Sequence, residues 1–451
     1  MPPSTATDSD RERGTAPHSE HTGENDRVHG KDRVHGKDRL PTGDRDRDRP
    51  RRAVVTGIGV VNPLGRDAET FWKAVQGRES AVGPVTRCDA EGLPVRLAAE
   101  IDGFRPTDHN IPRRLAVKSD VFAHYAMAAA DEALRDAGLD LDRHDRFRTG
   151  ICFGNNSGGW DLCERGFREY YEQSPAMINP WQATAWFPTA AQGFVSIRYG
   201  IRGYSKSVAC DRASGGAALR YALRSIQWGH NDIVLAGGAE APVTRLGLAA
   251  HVTTGELSRS QDPATGYAPF SAGRGGLVLG EGGTVLVLEE YEHARRRGAR
   301  VLGELLAVEQ RTAAPDDHTG LSDAMTAALT AADRRPGETD VVFAEGSGSV
   351  PGDATEAEAL RAVFGAHRIP VTVPKAGYGH QYGASVATEV ACALLAARDA
   401  TLPPTPGTEE ADPALGLDLV TSARSARVGL ALVNGRSREG TNVAALVGAA
   451  D

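Results

Sequence analysis

The feature that most limits the possible folds is a pattern that the chain writes twice. "RTGICFGNNSGGWD" (Arg148–Asp161) is a short apolar run, a glycine-rich turn and the first residues of a helix. "TDVVFAEGSGSVPGD" (Thr339–Asp353) has the same order. Around each copy, apolar runs of strand length alternate with segments of helical spacing. Ala53–Val61, "NDIVLAGGAEA", "GGTVLVLEE" and "RVGLALVNGRSREGTNVAALVGA" read as buried strands. "DAETFWKAVQGRES" places Phe71 and Val75 on one helical face and stops at Gly77. "LAVKSDVFAHYAMAAADEALRDAGLDL" predicts one long amphipathic helix ending at Gly138. "GLSDAMTAALTAADRRPGE" and "GASVATEVACALLAARDA" predict two more in the second part. Strand–helix alternation, run twice, predicts two similar α/β halves sharing one core.

Residues 1–51 stand outside that grammar. They are rich in Asp, Arg, Glu, His and Gly, and "RVHGKD" occurs twice in tandem at Arg27–Asp32 and Arg33–Asp38. Such a segment cannot offset its ordering entropy by burial, so a disordered charged tail is expected. The chain carries a formal net charge of −8, which argues against a nucleic-acid partner. No apolar run approaches the roughly 20 residues of a membrane span, and the N-terminus lacks the apolar stretch of a secretory signal. Five cysteines without CxxC spacing suit reduced thiols of a cytoplasmic protein and offer no metal cluster.

"SKSVACDRASGGAALRYAL" (Ser205–Leu223) raises the chemical question. A β-rich run ends near a cysteine, and small residues then open a helix, as where acyl-transfer enzymes present a nucleophilic thiol. Cys210 is the candidate that composition offers; a small structural thiol in a β-run is the plainer reading.

Five blocks in order, "VVTGIGVVNPLG", "VLAGGAEAP", "LGEGGTVLVLEEYEHARRRGA", "PKAGYGHQYGA" and "EGTN", resemble the β-ketoacyl synthases, the thiolase-like condensing enzymes. The resemblance runs from about residue 53 to 448. It implies a thiolase-like five-layered α/β/α/β/α sandwich made of two similar halves, residues 52–300 and 301–451, dimerised through the strand around Lys206–Ala209. It also implies a catalytic Cys and two His. The family places its nucleophile nine positions after a turn glycine; from Gly203 that is Arg212, and counting back from "GGAE" gives Arg212 again. Cys210 comes two residues too early. Glu345 stands at the first His position. His380 in "GYGHQYG" is retained, as is Lys375. Arg436 and Arg438 stand where active members tend to carry Phe.

A guanidinium has no usable nucleophile, and an ionised carboxylate repels the enolate that a neutral His would stabilise. The pattern therefore looks like the ketosynthase β subunit, or chain-length factor, of type II polyketide synthases, and "TAWFPTAAQGFVSIRYGIRG" (Thr184–Gly203) resembles that subfamily too. Many of its members carry Gln at the nucleophile position; Arg212 is a departure. The resemblance implies a non-catalytic partner: a heterodimer with an active ketosynthase α subunit, serving a polyketide chain on an acyl carrier protein, with no metal or organic cofactor. Channel-gating positions fall on Trp160, Cys163 and Phe167, at i, i+3 and i+7 of one helical face, with Tyr170 and Tyr171 further along the interface. An ordinary core stripe is the alternative for that face. The competing functional reading is a condensing enzyme or malonyl decarboxylase using Cys210 and His380. Because Arg212 and Glu345 converge in the family fold, a salt bridge between them is expected.

Overall fold

A computed structural model of the protein describes residues 51–450. The expected tail, with its tandem repeat, lies outside the described residues, Arg51 excepted; that side chain pairs with Asp232.

Ten strands and seven helices position the site. The first five strands are β1 (Ala53–Val61), β2 (Thr149–Gly154), β3 (Ser205–Val208), β4 (Ile233–Glu240) and β5 (Gly282–Glu290). The second five are β6 (Gly303–Thr312), β7 (Val341–Phe343), β8 (Pro370–Thr372), β9 (Leu430–Arg436) and β10 (Thr441–Ala449). Within the first set the spatial order is β3-β2-β4-β5-β1; within the second it is β8-β7-β9-β10-β6. These are the same order in sequence rank. The senses repeat as well. β3-β2-β4 are parallel while β5 and β1 join antiparallel. β8-β7-β9 are parallel while β10 and β6 join antiparallel. The doubled grammar of the sequence is thus a doubled topology. The two sets connect through a short antiparallel contact of β1 with β6 at Val54 and Val55.

Period-two alternation sends each strand's side chains to two different cores. In β2, Cys152 enters the central core while Ile151 and Phe153 enter an outer one. In β4, Val234 and Ala236 point inward, Ile233 and Leu235 outward. In the second set, Val341, Phe343, Ala431 and Val433 share that same central core, whereas Val342, Leu430 and Leu432 face a third. Six helices fill the layers. The outer core of the first set is closed by α1 (Val121–Asp136) and α3 (Ala190–Tyr199). Between the sheets lie α4 (Ser214–Gln227) and α7 (Ser385–Asp399), burying Leu219, Leu223, Ile226, Val390 and Leu394. The far side is closed by α5 (Thr319–Ala331) and α6 (Val350–Phe364). This is the five-layered α/β/α/β/α sandwich. The remaining helix, α2 (Trp160–Arg168), comes after β2 at the site.

One helical expectation is corrected. The stretch from Leu115 to Leu141 is not a single helix: Arg113–Ala116 is one short turn, and α1 starts afresh at Val121. Asp120 is the reason. Its side chain accepts from the Phe122 N–H and caps the new helix, and its other oxygen accepts from the Leu162 N–H of α2.

Helix α1 lies unusually close to β1. A Cβ on Gly59 would sit 1.9 Å from the Ala129 carbonyl oxygen, so only glycine allows this approach. Gly59→Ala should lower stability by about 1–3 kcal/mol through overpacking. Gly83→Ala, with open space at its Cβ, should be close to neutral. Thermal melts of the two variants side by side check this, and equal melting temperatures would contradict it.

Candidate functional site

Three loops converge where the parallel strands of both sets end. The first comes after β3. Asp211 takes a left-handed conformation, with φ at 51°, and turns the chain sharply into α4. Ser214 ties this turn shut: its Oγ accepts from the Cys210 N–H at 2.8 Å and donates to the Asp211 carbonyl at 2.6 Å. Arg212 is thereby presented at the mouth of α4. Cys210 lies past the end of β3, half-buried, and lines a cleft of about 550 Å³ with Trp160, His251 and Tyr382. It is therefore neither a strand residue nor a fully buried thiol. The turn that displaces Arg212 into the interior leaves Cys210 on the cleft wall.

The second loop comes after β7. Buried Glu356, from α6, accepts from the Glu345 N–H at 2.9 Å and the Gly346 N–H at 2.8 Å, and so sets the course of this loop. The third precedes α7. His380 Nδ1 accepts from the Tyr382 N–H at 3.0 Å, which leaves the ring proton on Nε2. Nε2 donates to Glu345 Oε1 at 2.8 Å.

Glu345 is the meeting point. Its Oε1 lies 3.4 Å from Arg212 Nε, and its Oε2 lies 3.5 Å from Lys375 Nζ. Burial pushes its carboxyl upward, but Lys375, His380 and Arg212 together outweigh burial and hold it at about 2. Lys375 is fully buried and donates to the Ala344 and Glu345 carbonyls at 3.1 and 2.9 Å. Burial works against its charge; Glu389, 2.8 Å away, and Glu345 keep it protonated. Burial holds His380 below the usual histidine range, and its neutral form already serves Glu345.

Arg212 and Glu345 thus meet as an ion pair, but not a two-pronged one. The Nη1 end and the single Nε–H of the guanidinium turn elsewhere. Its Nη1 lies 3.0 Å from Glu256 Oε1, and its Nε donates to the Arg436 carbonyl at 3.1 Å. Glu256 sits in an irregular loop after "TTG", with no periodicity to mark it, and was not foreseen. Arg436 is buried as well. It donates to the Gly352 and Pro315 carbonyls at 2.9 and 3.1 Å, so it fastens the end of β9 to the start of α6 and to the segment before α5. Arg438 is fastened by its own backbone: its N–H donates to Asp211 Oδ2 at 2.9 Å.

The proposed gating face separates. Trp160 reaches the cleft. Cys163 is buried in a small cluster with Leu162 and Ala185. Phe167 points away, edge-on to Trp186 and stacked near Tyr171. Seven residues of helix carry a side chain about 10 Å along the axis, so one face does not mean one cavity. Tyr170, Tyr171, Trp186 and Phe187 continue an exposed aromatic surface; Tyr171 is 77% and Phe187 58% exposed. Among the described residues, no group of His, Cys, Asp and Glu is set to hold a metal, and no helix is long and apolar enough to cross a membrane.

Two family models match the chain: "Beta-ketoacyl synthase, N-terminal domain" over residues 51–294 and "Beta-ketoacyl synthase, C-terminal domain" over residues 304–409. The tetracenomycin polyketide synthase ketoacyl synthase beta subunit of Streptomyces glaucescens is 37% identical, covering 88% of this chain and 98% of its own. The solved ishigamide ketosynthase/chain length factor superposes with a TM-score of 0.83 at 29% identity, covering 89% of this chain and 100% of that one. A type II polyketide synthase acyl-carrier protein in complex with its ketosynthase bound to the hexaketide gives 0.80 at 26%, with the same coverage. The chain belongs to the β-ketoacyl synthase family. Within it, the chain is of the ketosynthase β subunit class of type II polyketide synthases.

Removing one partner of a buried pair leaves the other uncompensated. Arg212→Ala should cost about 3–5 kcal/mol, and Arg212→Ala with Glu345→Ala should recover part of that. Urea unfolding of the four members of this cycle measures the coupling; strict additivity would contradict it. The acid side derives from the depressed Glu345 carboxyl. Its contribution is full above its ordinary value of 4.5 and is lost as pH falls through about 2. Glu345→Gln should flatten the stability profile between those pH values, and an unchanged acid limb would contradict the ion-pair network.

Proposed function

We infer that this chain is a non-catalytic ketosynthase β subunit, a chain-length factor, of a type II polyketide synthase. It pairs with an active ketosynthase α subunit in the cytoplasm and shapes the channel for a polyketide growing on an acyl carrier protein. Residues 52–300 and 301–451 act as its two halves. The observation that carries this reading is Arg212, charged and locked among Glu345, Glu256 and the Arg436 carbonyl, at the point where the nucleophile would stand. No acyl bond can form there. His380, the remaining catalytic position, spends its Nε2 proton on Glu345, and groups that act as a unit do not work singly.

The surface supports a partner of this kind. Among the described residues, β3 is an edge strand of the sheet, paired only through β2. The exposed aromatic side chains from Phe167 to Phe187 belong to the segment leading toward it. An edge strand and an exposed apolar face are each a liability in a monomer, and both fit an obligate interface. Relatives whose names and titles state a ketosynthase/chain length factor pairing support the same partner.

The second reading rests on Cys210, which does line the cleft. Burial first, then Asp211, pushes its thiol above the usual range, so the nucleophilic thiolate is scarce near neutral pH.

Three outcomes are expected. Co-expression with an α ketosynthase should give a tight 1:1 complex, and Trp186→Asp should break it; a well-behaved monomer at micromolar concentration would contradict the assignment. A thiol-reactive acyl probe should leave Cys210 unlabelled; labelling that matches turnover would favour the catalytic reading instead. Arg212→Cys should not gain condensing activity, because Glu345 still opposes an enolate.

A further inference from the structure

Trp160, the aromatic wall of the cleft, is held in place from three sides. Its Nε1–H donates to Ser157 Oγ at 2.8 Å. The Ser157 hydroxyl in turn donates to Glu240 Oε2 at 3.3 Å. Glu240 is the last residue of β4 and is 1% exposed; its other oxygen accepts from the Asn156 N–H. The three groups form one directional relay, N–H to O–H to the Glu240 carboxyl, in a part-buried setting where each bond polarises the next. On the ring's flank, His251 meets Trp160 edge-on at 5.8 Å. The His251 ring is fixed by its Nδ1, 2.8 Å from the Gly247 carbonyl. A Cβ on Gly247 would come 3.2 Å from Trp160 Cγ, so this backbone closes the third side. The stack then continues inward, from His251 to Tyr382 at 4.9 Å and from Tyr382 to His380 at 5.2 Å.

An indole gripped at its nitrogen and along its flank has neither side-chain torsion free. Swinging it aside would orphan its N–H and strip Ser157 of its donor. We propose that Ser157 and Glu240 are positioning residues that hold Trp160 as a fixed wall, so that the cleft depth open to an acyl chain is set by this relay as well as by the size of the indole. The inference rests on the chain-length reading above and deepens it: the specificity determinant extends back from the cleft into the end of β4.

The test uses the co-purified α/β complex, loaded with fluorotryptophan and paired with carrier protein in a product assay. The Trp160 fluorine signal is assigned by its loss in Trp160→Phe. Ser157→Ala should broaden or split that signal and lengthen the products by at least one two-carbon unit. Ser157→Thr, which keeps the hydroxyl, should restore both. Glu240→Ala, which removes the acceptor behind Ser157, should shift both readouts in the same sense and by less. A parent-like Trp160 signal in Ser157→Ala would overturn the proposal, as would a mobile Trp160 with unchanged product length. Trp160→Ala separates the two levels. Longer products there, with parent-like Ser157→Ala, overturn the relay alone. Unchanged lengths in Trp160→Ala overturn the chain-length reading of the cleft and this proposal with it.

Discussion

The carboxylate of Glu345 is the interaction on which the site depends. A lone buried carboxylate would be neutral or destabilising. This one, on the loop after β7, sits against Arg212 from the loop after β3 and against Lys375 and His380 from the segment before α7. The three loops belong to both repeats of the fold, so a single side chain ties the end of β3, the end of β7 and the start of α7 together. The site is consequently rigid where an acyl-transfer site would need a free thiol and a proton donor aimed at substrate.

The charge pattern explains why neither substitution stands alone. Arg212 without Glu345 would leave Glu256 as its close acidic partner. Glu345 without Arg212 would still hold His380 in one tautomer through the Nε2 proton. Lys375 is shared in the same way, between Glu345 and Glu389. Such a buried network contributes little net stability over apolar packing, but each partial disruption is costly. That asymmetry keeps the network whole.

Much of the fold was legible because its signal is periodic. β2, β4, β7 and β9 alternate between two cores, and their apolar runs announce that. The two glycine-rich turns mark places where backbone must pass closely: a Cβ on Gly158 would meet the Ala185 carbonyl oxygen at 2.7 Å, and one on Gly348 the Gly276 carbonyl oxygen at 2.6 Å. Arg212, Glu345, Lys375 and His380 were found by position within recognisable blocks. Glu256 and Glu356 were not, since each lies where nothing in the local pattern distinguishes a buried carboxylate from a solvated one. The helix break at Asp120 was missed for a related reason. Its signal is a cap, and its partner in α2 is distant in sequence.

The face from Trp160 to Phe167 is where reasoning along one helix fails and the tertiary arrangement decides. Trp160, Cys163 and Phe167 share a face, yet they serve three environments: a cleft wall, a buried cluster and an exposed aromatic surface. A helix face is a line about 10 Å long over those residues, and the cleft is reached only at its first turn. There the wall is built on the turn after β2 and on the end of β4. Those same strands, one layer down, carry Cys152, Val234 and Ala236 into the central core that both sheets share. The position of Trp160 is therefore set by the sandwich itself, through Glu240 and Ser157, and not by α2 alone.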